Sequence, residues 1–233
     1  VVSPMEIADA YGADAARWFM LSDSPPERDV EWTDAGAEGA WRLVNRIWDT
    51  CFGHPDLLKS VDLNTQGANE ADADLRRAVH LSIAGIGDDI ENFRFNKAIA
   101  RAYELIPVVK KAGSNENISD WAKAEALSSL TRLVAPFVPH VAEGCWEHLG
   151  GEGFICDAPW PTHDPSLLVA DTITLPIQIN GKKRGELEVP AEADKTKIEK
   201  LAMASDVVQR HIEGKTIRKV IIVPGRIINI VVG

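Results

Sequence analysis

The chain is 233 residues long and 45% hydrophobic, with 25 Lys and Arg against 35 Asp and Glu, a length that buries one large core or two smaller ones. It holds no apolar run near the ~18 to 20 residues a membrane helix needs and no basic-then-apolar leader, so a cytoplasmic protein without membrane contact is expected; a monomer is expected as well. Cys51, Cys145 and Cys156 are too few and too scattered for a disulfide framework or a four-ligand zinc site; they read as reduced core thiols, and Cys145 and His148, three apart, lack the second ligand pair a metal needs.

The charge is uneven. Residues 172–233 carry 11 Lys and Arg against 7 Asp and Glu, net +4, which leaves 14 against 28, net −14, for residues 1–171. An acidic body joined to a basic tail implies that the tail meets a polyanion and that the body touches it only through local basic patches.

Ser3-Pro-Met-Glu6 has the form of a capping box with proline at the first helical position, so a helix starts at once and runs toward Tyr11, with Gly12 as its stop. There is no starting methionine, and the chain is expected to open inside a fold. Residues 14–21 form a second short helix with Ala15, Trp18, Phe19 and Leu21 as bulk. Ser24-Pro-Pro-Glu-Arg-Asp-Val-Glu-Trp32 is a rigid turn, because two prolines fix φ and forbid a continuing helix. Residues 31–51 read as a long amphipathic helix capped by Thr33. Ala37, Ala40, Trp41, Val44, Ile47, Trp48 and Cys51 recur at steps of three and four and mark its inward face. Arg42, Asn45, Arg46 and Asp49 fall on the other side. Two guanidiniums one turn apart with an amide between them can touch phosphates; the alternative is a solvated face.

The same period continues. Leu75, Val79, Ile83, Ile86 and Ile90 make one stripe behind an acidic segment suited to a helix N-terminus. Phe95, Ile99, Ala102 and Ile106 make the next, which Pro107 should kink or shorten. Ser119 caps a helix through Leu127, Leu130 and Val134 that Pro136 and Pro139 break, and a last helix carries Val141, Cys145, Trp146 and Leu149 before Gly150. These elements predict an antiparallel helical bundle. Proline and glycine clusters over residues 151–171 make a linker, with Trp160 pinned to the bundle surface.

From residue 172 the period changes to two. Ile173, Leu175, Ile177 and Ile179 alternate, Asn180-Gly181 turns, and Leu187 and Val189 resume the apolar set. A two-residue loop would pair Ile177 with Arg184, putting apolar and charged partners on one face. A three-residue loop through Lys182 pairs Ile177 with Gly185 and Leu175 with Leu187, and is expected. Two short helices come next, residues 194–204 with Ile198, Leu201 and Ala202 inward and residues 205–213 with Val208 and Ile212 inward. A second hairpin then turns at Pro224-Gly225, giving a ββααββ unit of α+β type. The domain reading is residues 1–32 for the opening helices and proline turn, 33–150 for the bundle, 151–171 for the linker and 172–233 for the tail.

No nucleophile with its base, no metal cage and no phosphate-cradling loop shows persuasive spacing, so these residues are not expected to be catalytic. Gly12, Gly36 and Gly39 are isolated capping or close-packing glycines. The functional signal is basic. Lys182, Lys183 and Arg184 lie at the tip of the first hairpin, and Lys215, Arg218, Lys219 and Arg226 cluster around the second. Such residues grip a nucleic-acid backbone, or else keep edge strands soluble. Residues 172–233 hold no aromatic side chain, which argues for backbone and shape recognition over base stacking.

Several stretches resemble bacterial leucyl-tRNA synthetases. Tyr11-Gly-Ala-Asp14 with Ala16-Arg17 and Phe19-Met20, then residues 25–32, resemble the segment directly after the Lys-Met-Ser-Lys-Ser signature of that family. Glu31-Trp32, Asp34-Ala35-Gly36, Glu38-Gly39-Ala40 and Asn45-Arg46 resemble the first helix of the anticodon-binding bundle. Pro176-Ile-Gln-Ile-Asn-Gly-Lys-Lys-Arg-Gly185 and Gly214-Lys-Thr-Ile-Arg-Lys-Val-Ile-Ile-Val-Pro-Gly225, with Val231-Val232, resemble the C-terminal domain. Tyr11-Gly-Ala-Asp14 and Ala135-Pro-Phe-Val-Pro-His140 also fit isoleucyl and valyl relatives, and a stand-alone RNA-binding module is the remaining alternative. Gly144-Cys145 departs from the usual acidic residue and leucine, which weakens the last helix.

The resemblance implies a parent enzyme that charges tRNA(Leu) using ATP and Mg²⁺, with the catalytic and editing domains before Val1 and no cofactor in these residues. It makes Arg42, Asn45 and Arg46 candidates for tRNA stem contact. Lys182, Lys183, Arg184, Lys215, Arg218, Lys219 and Arg226 become candidates for the elbow and long variable arm. DNA is not an implied partner.

Overall fold

A computed structural model describes residues 3–22, 25–65, 67–168, 172–191, 193–212, 214–223 and 225–233. Ser24 of the proline turn, Asp171 at the end of the linker, Glu213 of the second tail helix and Pro224 of the second hairpin lie outside the described residues. The chain divides into two compact units, Val1–Leu168 and Val169–Gly233.

The first unit is helical. Helix α1 (Pro4–Tyr11) starts through Pro4 without a side-chain bond from Ser3, so the capping box does not form, and it stops at Gly12 with φ 85°. Helix α2 (Ala13–Ser22) buries Ala15, Trp18 and Phe19. Helix α3 (Asp34–Phe52) starts where Thr33 accepts the Gly36 N–H. Its buried line is Ala37, Ala40, Leu43, Ile47, Thr50 and Cys51. Trp41, expected inside, is 45% exposed. Leu43 takes the inward place because it lies three residues after Ala40 and four before Ile47, nearer the middle of the stripe than Trp41.

After the short α4 (Leu57–Ser60), a 3-10 turn over Glu70–Asp72 opens α5 (Ala73–Glu91). Helix α6 (Phe95–Gly113) runs through Pro107 without ending. Pro107 lies on the exposed side, so the backbone carbonyl it deprives faces water, while Leu105, Ile106, Val109 and Ala112 continue the buried stripe. Packing outweighs the lost bond. Helix α7 (Asp120–Val134) is capped by Ser119, whose hydroxyl accepts the Ala122 N–H at 3.1 Å. Helix α8 (Pro139–Leu149) uses Pro139 at its first turn and ends at Gly150 in the left-handed conformation, φ 84°. Gly144 does not shorten α8: a Cβ there would stand 3.2 Å from the Trp48 ring, so the missing side chain makes room for α3. Cys51 and Cys145 are buried and Cys156 is exposed, because Ile155 takes the inward position of that short turn.

Residues 151–168 fold back on the helices. The Arg132 guanidinium donates to the Pro159 carbonyl at 3.1 Å, the Asp164 N–H donates to His80 Nδ1 at 2.8 Å, and Ile155 enters the core. Trp160 lies against α5 at Gly87.

The second unit has β1 (Thr172–Ile179), β2 (Lys182–Pro190), α9 (Lys195–Ala204), α10 (Asp206–Ile212), β3 (Ile217–Val223) and β4 (Ile227–Val232). The sheet order is β2-β1-β4-β3, two antiparallel hairpins joined by a parallel β1–β4 seam. Leu175 pairs with Leu187 and Ile177 with Gly185, as the alternation demands. The loop between them differs from the expected three residues. Ile179 pairs with Lys182 across a two-residue Asn180-Gly181 turn with both φ positive, 49° and 78°, and the extra residue is absorbed as a bulge at Arg184. Ile198, Ala202 and Val208 bury beneath the sheet, whereas Leu201, expected inward, is 36% exposed.

The candidate nucleic-acid interface

The polar side of α3 carries Arg42, Asn45, Arg46 and Asp49, all exposed. Arg42 is held at 2.6 Å by Glu38 one turn earlier, and the Asn45 amide donates to the Trp41 carbonyl at 2.8 Å. Exposed i,i+4 pairs contribute little and exchange readily for another anion. Arg46 has no ion pair among the described residues.

In the second unit the chain path gathers basic residues at one end of the sheet. Strands β1 and β4 run parallel, so the Asn180 turn and the C-terminal end of β4 share an end. Thr216 and Gly233 exchange two backbone bonds of 3.0 Å, which brings the start of β3 to the same place. Lys182, Lys183, Arg184, Lys215, Arg218 and Lys219 therefore line one rim. Arg226 does not belong to it. It comes after the β3–β4 turn at the far end of the sheet, roughly 17 Å away by strand rise, because a hairpin's turn and its open end are opposite ends. The expected cluster around the second hairpin is thus split.

Both edge strands carry a bulge, and the inserted residue is an arginine each time, Arg184 in β2 and Arg218 in β3. A bulge leaves its residue outside the ladder and re-aims its side chain. The Arg218 guanidinium lies over Gly233, where an added Cβ would collide with it. Lys183 pairs with Glu186 at 2.7 Å, and this contact holds the Glu186 carboxyl below its usual range. Lys215 Nζ donates to the His211 carbonyl at 3.1 Å, at the end of α10.

A cavity of about 980 Å³ lies elsewhere, in the first unit between residues 58–64 and 146–159 with Arg132 on its wall. Among the described residues no group of three or more His, Cys, Asp or Glu is placed to hold a metal ion. His148 bonds the Phe52 carbonyl at 2.8 Å, and Cys145 lies against Cys51, where that contact and burial push its thiol up.

A family model for the anticodon-binding domain of tRNA ligase matches residues 72–200, more than half of the chain. The chain belongs to that family. The match runs from the start of α5 into α9. Relatives named leucine–tRNA ligase include those of Maricaulis maris (50% identical, covering 97% of this chain and 26% of the relative) and Ruegeria pomeroyi (48%, 100% and 26%). That of Caulobacter vibrioides is 49% identical, covering 99% and 27%. The chain thus spans about a quarter of the length of the curated relatives it matches. Among solved structures it is similar to a leucyl-tRNA synthetase chain of Agrobacterium radiobacter K84 agnB2, determined in a ternary complex with tRNA and LeuAMS. The TM-score is 0.83, with 30% identity over 100% of this chain and 30% of that one. The resemblance to leucyl-tRNA synthetases is borne out, as is a mainly α bundle followed by a small α+β domain.

The family motifs also meet in space, which sequence spacing alone does not show. Asp14 accepts from the Val141 N–H at 2.7 Å and bonds His140 Nδ1 at 2.8 Å, satisfying the N-terminus of α8. Arg17 donates to the carbonyls of Pro136 and Phe137. These residues of the two quoted motifs fasten α2 to α8, a structural role.

Proposed function

We propose that this chain is the tRNA-binding part of a leucine–tRNA ligase and positions tRNA(Leu) for ATP-dependent leucylation by a catalytic domain outside these residues. The observation that carries the reading is the basic rim at one end of the small sheet, with arginines bulged out of both edge strands. A rim without aromatic side chains offers phosphates point charges and forked donors and offers bases no stacking surface. Membership in the anticodon-binding family and similarity to a synthetase solved with tRNA support tRNA as the polyanion. In this reading Lys182, Lys183, Arg184, Lys215, Arg218 and Lys219 meet the elbow and long variable arm, Arg42, Asn45 and Arg46 meet a stem, and Arg226 adds only long-range attraction. ATP and Mg²⁺ belong to the catalytic domain, and no described residue is assigned to them.

The test is a salt titration of this chain's affinity for a leucine-type tRNA with a long variable arm, beside a short-arm tRNA. The long-arm tRNA binds more tightly, and Arg184→Ala and Arg218→Ala each lower the slope of log affinity against log salt by about 0.7 to 0.9. Equal binding of both tRNAs with unchanged slopes would remove the rim from the site.

A further inference from the structure

The two halves of the basic rim lie on different hairpins. Arg184 and Arg218 sit on the outer strands of the order β2-β1-β4-β3, three strand spacings or about 14 Å apart along the sheet. The hairpins are joined along one seam, where Ile177, Gln178 and Ile179 register with Ile228, Asn229 and Ile230. A single hairpin is marginally stable alone, so this seam fixes where one arginine stands relative to the other.

At the basic end the seam is completed by side chains. Asn180 Nδ2 donates to the Val232 carbonyl at 3.1 Å, and its Oδ1 accepts the Val232 N–H at 2.9 Å. The amide thus acts as one more peptide unit of the ladder. The Asn180 N–H donates to the Ile230 carbonyl at 3.0 Å, and Asn229 Oδ1 accepts the Gly181 N–H at 3.3 Å. Both residues of the turn before Lys182 are therefore tied to β4, and Val232 in turn pairs with Ile217, the neighbour of Arg218. Asn180 is exposed, so these bonds fix position without burying a core side chain. Its φ of 49° is one that glycine also adopts.

We infer that Asn180 is the positioning residue of the tRNA interface: its amide locks the first hairpin tip to the end of β4, so that Arg184 and Arg218 engage one rigid stretch of tRNA backbone together. This rests on the tRNA reading above.

The test uses Asn180→Gly in this chain, which keeps the turn and removes both amide bonds. Affinity for the long-arm tRNA is measured against salt, with Arg184→Ala, Arg218→Ala and their combination made in both backgrounds. In the native background the two arginines are coupled, so that removing the second costs less than removing it alone. In Asn180→Gly the coupling disappears and the salt slope falls by about 0.7 to 0.9, the loss of one phosphate contact, while amide exchange at Ile177 and Ile228 stays native. Native affinity, slope and coupling in Asn180→Gly would overturn the inference. Should that variant loosen the sheet, Asn229→Ala, which removes only the bond to Gly181, is expected to reduce the coupling in part, and unchanged coupling there would overturn it. If the arginine variants weaken binding and the asparagine variants do not, this inference alone fails. If the native chain binds no tRNA, or the arginine variants change nothing, the tRNA reading fails and this inference falls with it.

Discussion

The two units spend their charges in opposite ways. In the first, buried polar groups sit among the helices: Asp14, Thr50, Asp72, His80, Asp89, Ser128, Ser129 and Thr131. Asp72 accepts from both the backbone and the hydroxyl of Ser119, and Asp89 takes a bond from each of Arg94 and Arg101. In the second unit the buried side chains among the described residues are all apolar, from Leu175 and Ile177 to Ile228 and Ile230. Its cations stand at the surface. Charges buried and paired hold helices in place and make a fold respond to pH; charges exposed at a rim contribute little to the fold and answer to salt and to a polyanion.

The largest effect expected lies in the helical core. Trp18 is fully buried, stacks edge-on with Tyr103 and Phe137, and donates its indole N–H to the Tyr103 hydroxyl. Trp18→Ala should cost roughly 3 to 5 kcal/mol in denaturant unfolding of the first unit while amide exchange at Ile177 and Ile228 stays native. Parallel loss in both would break the comparison.

Next comes the network that ties residues 151–168 to the helices. Glu125 takes two bonds from Arg76 and one from His80, whose other ring nitrogen accepts from Asp164. Burial pushes the Glu125 carboxyl up, but the bonds from His80 and Arg76 outweigh it and hold it below the ordinary range. A carboxylate depressed in the folded state adds stability above its unfolded pKa of about 4.3, and that stability is lost as pH falls through the folded value. Glu125→Gln should therefore cost about 1 to 3 kcal/mol at pH 7, and the gap should narrow progressively as pH falls below about 4.3. A gap independent of pH, in thermal unfolding at pH 7 and pH 3, would contradict the ionic account.

Ser119→Ala removes the α7 cap and a partner of Asp72 together, and should cost about 1 to 2 kcal/mol by the same measurement. The smallest effect sharpens the contrast. Arg184→Ala and Arg218→Ala should move stability by less than about 0.5 kcal/mol while changing the salt dependence of tRNA binding. If either destabilises the sheet by more than about 1 kcal/mol, bulge geometry outweighs binding in selecting that arginine.

Much of this was legible in the residues. The helices after Thr33 and Ser119, the stops at Gly12 and Gly150, and the change of period from 3.6 to 2 near residue 172 depend on neighbours within a few positions, where capping and side-chain periodicity act. The basic residues of the tail were legible as a set of cations but not as a rim. Their separation into Arg226 and the others comes from the order of four strands, and no local pattern announces a parallel β1–β4 seam.

Sequence by itself determined which faces go inward, because apolar burial tracks spacing, and it determined the register Leu175 to Leu187, because a slip would put every side chain on the wrong face. Tertiary structure decided how that register is reached. The Asn-Gly pair keeps its own two-residue turn, and the odd residue is expelled as a bulge at Arg184, since a local backbone preference and a face requirement are both met only that way. It also decided that Pro107 does not end α6, and that Asp14 meets the N-terminus of α8 more than a hundred residues away. Each of these is settled by which groups finally share a dry interior or a common edge, and proximity of that kind is a property of the packed chain rather than of any stretch of it.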